Sequence, residues 1–328
     1  MRALRVHGFE GLHQWRMDAV ADPHPGDDDV LVKVASTAVS YVDQLLVKGR
    51  YQIQPALPFV PGTEFCGVIT ACGSNAAQRL QVGQWVTGTV FGGAWAEQVC
   101  APWAAVAPLA PSDDVKAACT LPITYATAMY ALKRRGDLQA GETVLVLGAL
   151  GGVGMAAVQV AKAMGARVIA GVSGRVKCSA ALRLGADFSV DTSEAGWRAE
   201  LEAFAKRGVD VVVDPVGGDL TDTAFRTLCW GGRHLVVGFA QGAIPALRAN
   251  LPLLKGASLI GVDVRQFRER EPQAAWKNLS EVVDLFSRGL LKPELSGVYP
   301  ARAWATAMEA AARRETMGRV VLDWSVAI

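Results

Sequence analysis

The sequence predicts an α/β protein: a doubly wound parallel sheet covered by helices, joined to a separate β-rich domain. Three observations carry this reading. Residues 142–171 spell a strand, a glycine turn, an amphipathic helix and a second strand. From about residue 115 helical and buried-strand patterns alternate, which implies a parallel sheet with helices on both faces. Before that point the chain is instead a series of short β-like runs divided by turn residues.

In order along the chain, β-like runs fall at 29–34, 67–70, 85–89 and 96–99. Asp22-Pro23-His24-Pro25-Gly26 and residues 55–61 are loops, because Pro and Gly set turn geometry and Pro removes a donor. A helical stretch over 115–135 breaks at Pro122. The strand 142–147, helix 153–164 and strand 167–171 follow. Then come a helix ahead of Gly185, a strand at 188–190 and a helix over 197–207. Residues 209–214, with Val211-Val212-Val213 at their centre, read as the apolar run that a buried parallel strand needs. A helix over 220–228, a strand at 234–238 and a last apolar strand at 258–264 complete the sheet. Residues 52–57 and 267–272 read as loops, 274–288 and 301–314 as helices, and 298–299 as a short extended piece. The strand 318–323 returns to the first domain. The expected domains are 1–120 with 266–328, and 121–265.

At 328 residues the chain suits two cores better than one. A net charge of +2, without any basic cluster, gives no argument for nucleic acid or an acidic membrane surface. No run of ~18 apolar residues marks a membrane span, and the N-terminus lacks the apolar stretch of a signal peptide. The six cysteines at 66, 72, 100, 119, 178 and 229 include no Cys-x-x-Cys pair. Reduced thiols in a cytoplasm are the simplest expectation.

The glycine turn is the richest local signal. Gly148-Ala149-Leu150-Gly151-Gly152-Val153-Gly154 lets the backbone turn sharply and approach phosphates with no Cβ in the way. In the helix behind it, apolar residues at 153, 156, 157, 160, 161 and 164 mark a buried face. The N-terminus of that helix offers unpaired N–H groups and a partial positive charge to a pyrophosphate. Leu150, Gly151, Gly152 and Val153 are therefore expected to bind a dinucleotide. NAD sites place an Asp or Glu just past the second strand. Here no carboxylate occurs between Arg167 and Ala186, and Ser173, Arg175 and Lys177 offer a hydroxyl and two cations. Those groups suit a 2′-phosphate, so NADPH is the expected cofactor.

Four scattered histidines (7, 13, 24, 234) make a catalytic zinc hard to build, since it wants about three Cys, His or Glu ligands. Cys66 and Cys72 read as buried thiols. Neither a Tyr-x-x-x-Lys pair nor a Gly-x-Ser-x-Gly elbow is present. The chemistry is then expected to rest on the cofactor's hydride and a positioned acceptor.

Several motifs together resemble the medium-chain dehydrogenase/reductase superfamily. They are Val82-Gly83-Gln84-Trp85-Val86, Leu121-Pro122-Ile123-Thr124-Tyr125-Ala126-Thr127-Ala128, the glycine turn, Gly208 through Asp214-Pro215-Val216-Gly217-Gly218, and Gly318-Arg319-Val320-Val321-Leu322. Within it the chain is most similar to the zinc-free quinone oxidoreductases, zeta-crystallin among them. The resemblance implies a GroES-like catalytic domain, a Rossmann domain and an active cleft between them. Zinc-bearing members have Cys where this chain has Ser40, and Gly-His-Glu where it has Gly62-Thr63-Glu64. The resemblance places Tyr41 and Tyr51 at the nicotinamide and substrate pocket. It places Asp43, Thr124, Gly238, Phe239, Ala240 and Arg314 at cofactor-lining positions, and Lys177 at the 2′-phosphate. Thr192 stands where a tyrosine often assists that lysine.

The expected function is zinc-independent, NADPH-dependent hydride transfer to a quinone or similar electron-poor enone. The acceptor is expected between Tyr41, Tyr51 and Phe91, with Ser40 or Tyr41 stabilising the oxygen that gains charge. One alternative is reduction of a 2-enoyl thioester, with Arg265, Arg268, Arg270 and Lys277 as candidates for its carrier arm. An alternative of another class is a non-catalytic, crystallin-like NADPH-binding protein. The resemblance also suggests a homodimer, with the 258–264 edge strand (Ser258 to Val264) paired to its copy.

Overall fold

The computed structural model describes residues 1–313 and 317–326. The chain forms two compact units, residues 1–123 with 267–328 and residues 124–266.

The strands are β1 (Arg2–Val6), β2 (Trp15–Ala19), β3 (Asp29–Val39), β4 (Glu64–Cys72), β5 (Trp85–Thr89), β6 (Gln98–Pro102), β7 (Val106–Pro108), β8 (Thr143–Leu147), β9 (Arg167–Val172), β10 (Phe188–Asp191), β11 (Val209–Asp214), β12 (Leu228–Val236), β13 (Ser258–Gly261), β14 (Leu295–Pro300) and β15 (Arg319–Asp323). The α-helices are α1 (Tyr41–Leu46), α2 (Val115–Ala118), α3 (Ala126–Met129), α4 (Gly152–Ala163), α5 (Arg175–Arg183), α6 (Trp197–Phe204), α7 (Leu220–Arg226), α8 (Asn250–Lys255), α9 (Val264–Arg270), α10 (Pro272–Ser287) and α11 (Trp304–Ala312).

The first unit is built on a seven-stranded sheet in the order β14-β15-β3-β4-β5-β7, with β6 paired to the other end of β3. β3 alternates buried and partly exposed residues as far as Val34, then is buried through Thr37–Val39. Over that stretch β15 pairs with it, antiparallel, with Val320 opposite Val39 and Asp323 opposite Ser36. Trp95, Phe65, Leu4 and Ile69 fill the core beneath. Fully burying such a side chain contributes roughly 1.5–3 kcal/mol.

The second unit is a six-stranded parallel sheet in the order β10-β9-β8-β11-β12-β13. The chain runs from β8 outward to β10, then crosses to the other side of β8 for β11. All five residues of β8 are buried, and Leu145, Ile169, Val212, Phe225 and Trp197 join one core. This is the doubly wound sheet and separate β-rich unit that the sequence predicts.

Several local expectations need correction. The 258–264 strand stops at Gly261. The Asp263 carboxylate accepts the Gln266 N–H (3.0 Å), so Val264 opens α9 instead. Residues 267–272 are then not a loop but the end of α9 and the start of α10, whose first residue is Pro272. The helical stretch at 115–135 continues past Pro122 as wider π-type turns at Leu121–Tyr125 and Tyr130–Arg135, on either side of α3. α4 is buried almost all round from Gly154 to Ala161, not on one face. Arg314 lies outside the described residues. No described helix is long and apolar enough to cross a membrane.

Candidate active site

β8 delivers the chain to the glycine turn. Gly148 takes φ +58, a left-handed conformation suited to glycine. Its carbonyl accepts the Gly151 N–H at 2.9 Å, which closes the turn. Gly151 then caps α4 without a side-chain bond, and the first turn of the helix carries no acid. The leading N–H groups of α4 are thus left for an anion. Gly154 is required for a different reason: a Cβ there would lie 2.1 Å from the Gly148 oxygen. Turn and helix touch backbone to backbone, and the cradle so formed fits a pyrophosphate. It stands at the carboxyl end of β8, beside the point where the strand order reverses, which is where open α/β sheets bind ligands.

The neighbouring strand ends complete the rim. After β9, Ser173 is exposed and Arg175 opens α5. Lys177 is half-buried in the first turn of α5. Arg175 Nη1 reaches Glu200 Oε1 in the first turn of α6 at 3.3 Å. The Thr192 hydroxyl donates to the Val172 carbonyl at 3.0 Å and so is engaged with backbone. After β11, Asp214 accepts from the N–H groups of Val216 (2.9 Å) and Gly217 (2.8 Å) and from the Thr221 hydroxyl (2.7 Å). Its other neighbour is His234 Nε2, 3.0 Å away. Burial pushes the Asp214 carboxyl up, but these bonds outweigh it and hold it below the usual range. The loop after β12 carries Gly238 and Phe239 and is bonded to the 215–218 turn through Ala240 and Gln241. Thr124 is buried in the π-type segment Leu121–Tyr125.

In the first unit, Ser40 is the N-cap of α1 and forms a reciprocal capping box with Asp43. The Ser40 Oγ accepts the Asp43 N–H (3.0 Å), and Asp43 Oδ2 accepts the Ser40 N–H (2.9 Å). Thr63 Oγ1 lies 3.0 Å from Ser40 Oγ and donates to Asp43 Oδ2 at 3.3 Å. All three side chains are buried, and Asp43 Oδ1 has no partner among the described residues. Burial raises the Asp43 carboxyl to about 6, against the bonds from Ser40 and Thr63 and the charge of Arg319. Beside them Glu64 is paired with Arg319 and accepts the Ile123 N–H at 2.9 Å. Burial raises the Glu64 carboxyl too, opposed chiefly by Arg319.

Of the aromatic candidates, Tyr41 is 55% exposed on the first turn of α1. Tyr51 packs against Phe91 with ring centroids 5.9 Å apart. The structure therefore joins Ser40, Asp43 and Thr63 in one hydrogen-bonded group and Tyr51 with Phe91 in another. Arg268, considered for a carrier arm, donates instead to the Thr89 hydroxyl at 3.2 Å, and Arg265 lies 4.0 Å from Asp263.

The donor set around Ser40 does not fit a zinc ion. Hydroxyls of Ser and Thr are not among its protein ligands. Asp43 and Glu64 are each already hydrogen-bonded. Among the described residues no group of three His, Cys, Asp or Glu side chains is placed to hold a metal.

Comparison with known proteins agrees with this architecture. Residues 26–111 match the alcohol dehydrogenase GroES-like domain, and residues 152–281 match the zinc-binding dehydrogenase family. Quinone oxidoreductase-like protein 2 of Mus musculus is 34% identical over 92% of this chain and 87% of its own length. The chain belongs to the quinone oxidoreductases of the medium-chain dehydrogenase/reductase superfamily. Quinone oxidoreductase of Homo sapiens is 31% identical over 94% of this chain and 93% of its own. A mycobacterial protein solved in complex with NADPH superposes with a TM-score of 0.88 at 28% identity, covering 98% of this chain and 99% of that one. As a quinone oxidoreductase-type enzyme this chain is an oxidoreductase that binds a nicotinamide cofactor.

Sequence reasoning missed four neighbours of the candidate residues: Thr63 as the partner of Asp43, Arg319 as the partner of Glu64, and the carboxylates Asp191 and Glu200 near Arg175. Only the Ser40-x-x-Asp43 spacing, a capping-box pattern, gave a local signal for any of this. The other partners lie far apart in the chain.

Proposed function

We propose that this enzyme is a zinc-independent, NADPH-dependent reductase of a quinone or a similar electron-poor enone. The observation that supports the reading is the bonded pair of Ser40 and Thr63 hydroxyls, at positions where the resemblance to zinc-bearing members implies metal ligands. In these residues' own chemistry, hydroxyl donors can stabilise an oxygen that gains charge, as a Lewis acid does in metal-bearing relatives. When bound, NADPH would supply the hydride. The α4 N-terminus takes the pyrophosphate, and Arg175 and Lys177 take the 2′-phosphate. Tyr51 and Phe91 offer an aromatic wall against which a planar acceptor can pack. The Tyr41 hydroxyl, or that of Ser40 once it turns from Thr63, donates to the acceptor oxygen, which takes its proton from there or from water.

We read the enzyme as a cytoplasmic homodimer. All six cysteines are free thiols, as a reducing compartment allows. β13 is a sheet edge, and Leu259 on it, Trp230 on β12, and Leu253 and Leu254 on α8 are exposed apolar side chains. A second copy would cover them and pair the edge.

The test is an acceptor screen with metal analysis. Turnover of NADPH with 1,4-benzoquinone or 9,10-phenanthrenequinone, by protein without stoichiometric zinc and in the presence of chelator, supports the proposal. Crotonyl-CoA as the better acceptor would move the assignment to an enoyl thioester reductase. Tight NADPH binding with no turnover on the whole panel would leave a binding protein.

A further inference from the structure

A carboxylate does reach the end of β9, but from the next strand. β10 runs parallel to β9 with Asp191 level with Val172, the last residue of β9. Asp191 Oδ1 accepts the Gly174 N–H at 2.8 Å, the Ser193 N–H at 3.0 Å and the Ser193 hydroxyl at 2.5 Å. Gly174 is the residue before Arg175, so this carboxylate anchors the loop that presents both cations. Among the described residues its three bonds all end on Oδ1, and the side chain is buried. From the opposite side Glu200 holds Arg175 Nη1 at 3.3 Å.

The charge near the adenosine ribose is therefore not the +2 of Arg175 and Lys177 alone. Two carboxylates, Asp191 and Glu200, balance it. We propose that Asp191 and Glu200 set the cofactor selectivity of this enzyme, lowering its preference for the 2′-phosphate and giving the ribose of NADH a carboxylate acceptor. The proposal rests on the reading that Arg175 and Lys177 face the 2′ position.

The physics of the two residues differs. Glu200 competes with a phosphate for one guanidinium. Arg175 is mostly exposed and the pair is a surface ion pair, individually weak. A phosphate, with more charge and more acceptor oxygens, displaces it but loses part of its gain. Asp191 acts as a fixed negative charge next to the phosphate's position. The Ser193 hydroxyl and the Gly174 N–H hold its carboxyl below the usual range, and the charge of Arg175 acts in the same direction. It also acts as the hydrogen-bond acceptor that NAD sites ordinarily draw from the second strand.

The test compares dissociation constants of NADPH and NADH by fluorescence titration, for the full-length protein and three variants. Glu200→Gln is expected to tighten NADPH about three- to tenfold and leave NADH within twofold. Asp191→Asn keeps an oxygen for Gly174 while removing the charge. It is expected to tighten NADPH and weaken NADH at least threefold. Arg175→Ala with Lys177→Ala is expected to weaken NADPH at least tenfold more than NADH. If this last variant loses both cofactors equally, the 2′-phosphate reading fails and the proposal with it. If it behaves as expected while Glu200→Gln and Asp191→Asn leave the NADPH-to-NADH ratio within twofold of wild type, the carboxylate proposal alone is overturned. Glu200→Gln alters an exposed pair and keeps the proposal decidable should Asp191→Asn not fold.

Discussion

Replacing Gly154 by alanine should damage the fold and the cofactor site together, whereas the same change three residues earlier should damage only the site. At position 154 the new Cβ would lie 2.1 Å from the Gly148 oxygen, 2.8 Å from the Gly148 carbonyl carbon and 2.9 Å from the Ala149 Cα. A carbon and an oxygen rest at about 3.3 Å or more, so about 1.2 Å must be recovered by moving backbone against backbone. Overpacking a close-packed interior costs about 1–3 kcal/mol, and rigid neighbours put this case at the upper end. About 3 kcal/mol corresponds to a roughly 150-fold loss in the folding constant of the second unit. At Gly151 the nearest atom to a new Cβ is 3.3 Å away, and φ is −79, which any residue adopts. Gly151→Ala should stay within ~0.5 kcal/mol of wild type, as surface changes usually do, yet weaken NADPH about tenfold by standing between helix and phosphates. Urea denaturation followed by circular dichroism measures the first effect and fluorescence titration the second. A Gly154→Ala protein with a wild-type midpoint would refute the reasoning.

Three further outcomes are expected. Arg319→Met strands Glu64 in the first unit's interior and should cost about 3–5 kcal/mol, partly recovered by adding Glu64→Gln; equal stability of wild type and single variant in chemical denaturation would contradict this. Because the folded-state pKa of Asp43 lies at about 6, above the ~3.9 of an unfolded chain, its contribution is most favourable below pH 4 and is lost as pH rises toward 6. Asp43→Asn should therefore gain about 3 kcal/mol relative to wild type across that window, and a pH-independent difference would be the contrary result. Trp230, 81% exposed and seated over Gly256, should be buried if a second copy covers β13. Trp230→Glu is then expected to convert a dimeric gel-filtration peak to a monomeric one, and an unaltered dimer would place the interface elsewhere.

The legibility of each element followed from how local its cause is. β11 is legible to the residue, Val209–Asp214, because a buried parallel strand shows as an apolar stretch, here Val211-Val212-Val213 between two aspartates. β5 was read equally well. β12 begins at Leu228 and not at 234, because Trp230-Gly231-Gly232 looks like a turn while a register shift lets the strand pass through it. α1 and α8, six residues each, carry too short a pattern to stand out. Val262-Asp263-Val264 looked like a strand end and is a helix start, decided by one side-chain bond of Asp263. The glycine turn is legible because its strand, glycines and helix are contiguous. The surroundings of Ser40 and Arg175 were not, since Thr63, Arg319, Asp191 and Glu200 arrive from other elements.

The Glu64–Arg319 pair has a consequence for the order in which a ribosome builds this molecule. Glu64 is made first, and its guanidinium partner on β15 follows 255 residues later. Until then the edge of β3 that β15 covers is bare and Glu64 has no counter-charge. The second unit, contiguous from 124 to 266, is complete well before, and domains fold as units while chains grow at ~5–20 residues per second. The nascent chain thus passes several seconds with its inserted unit ready to fold and its flanking unit unfinished. A holdase that recognises bare strand edges would find its client in that interval, at the first unit and not the second.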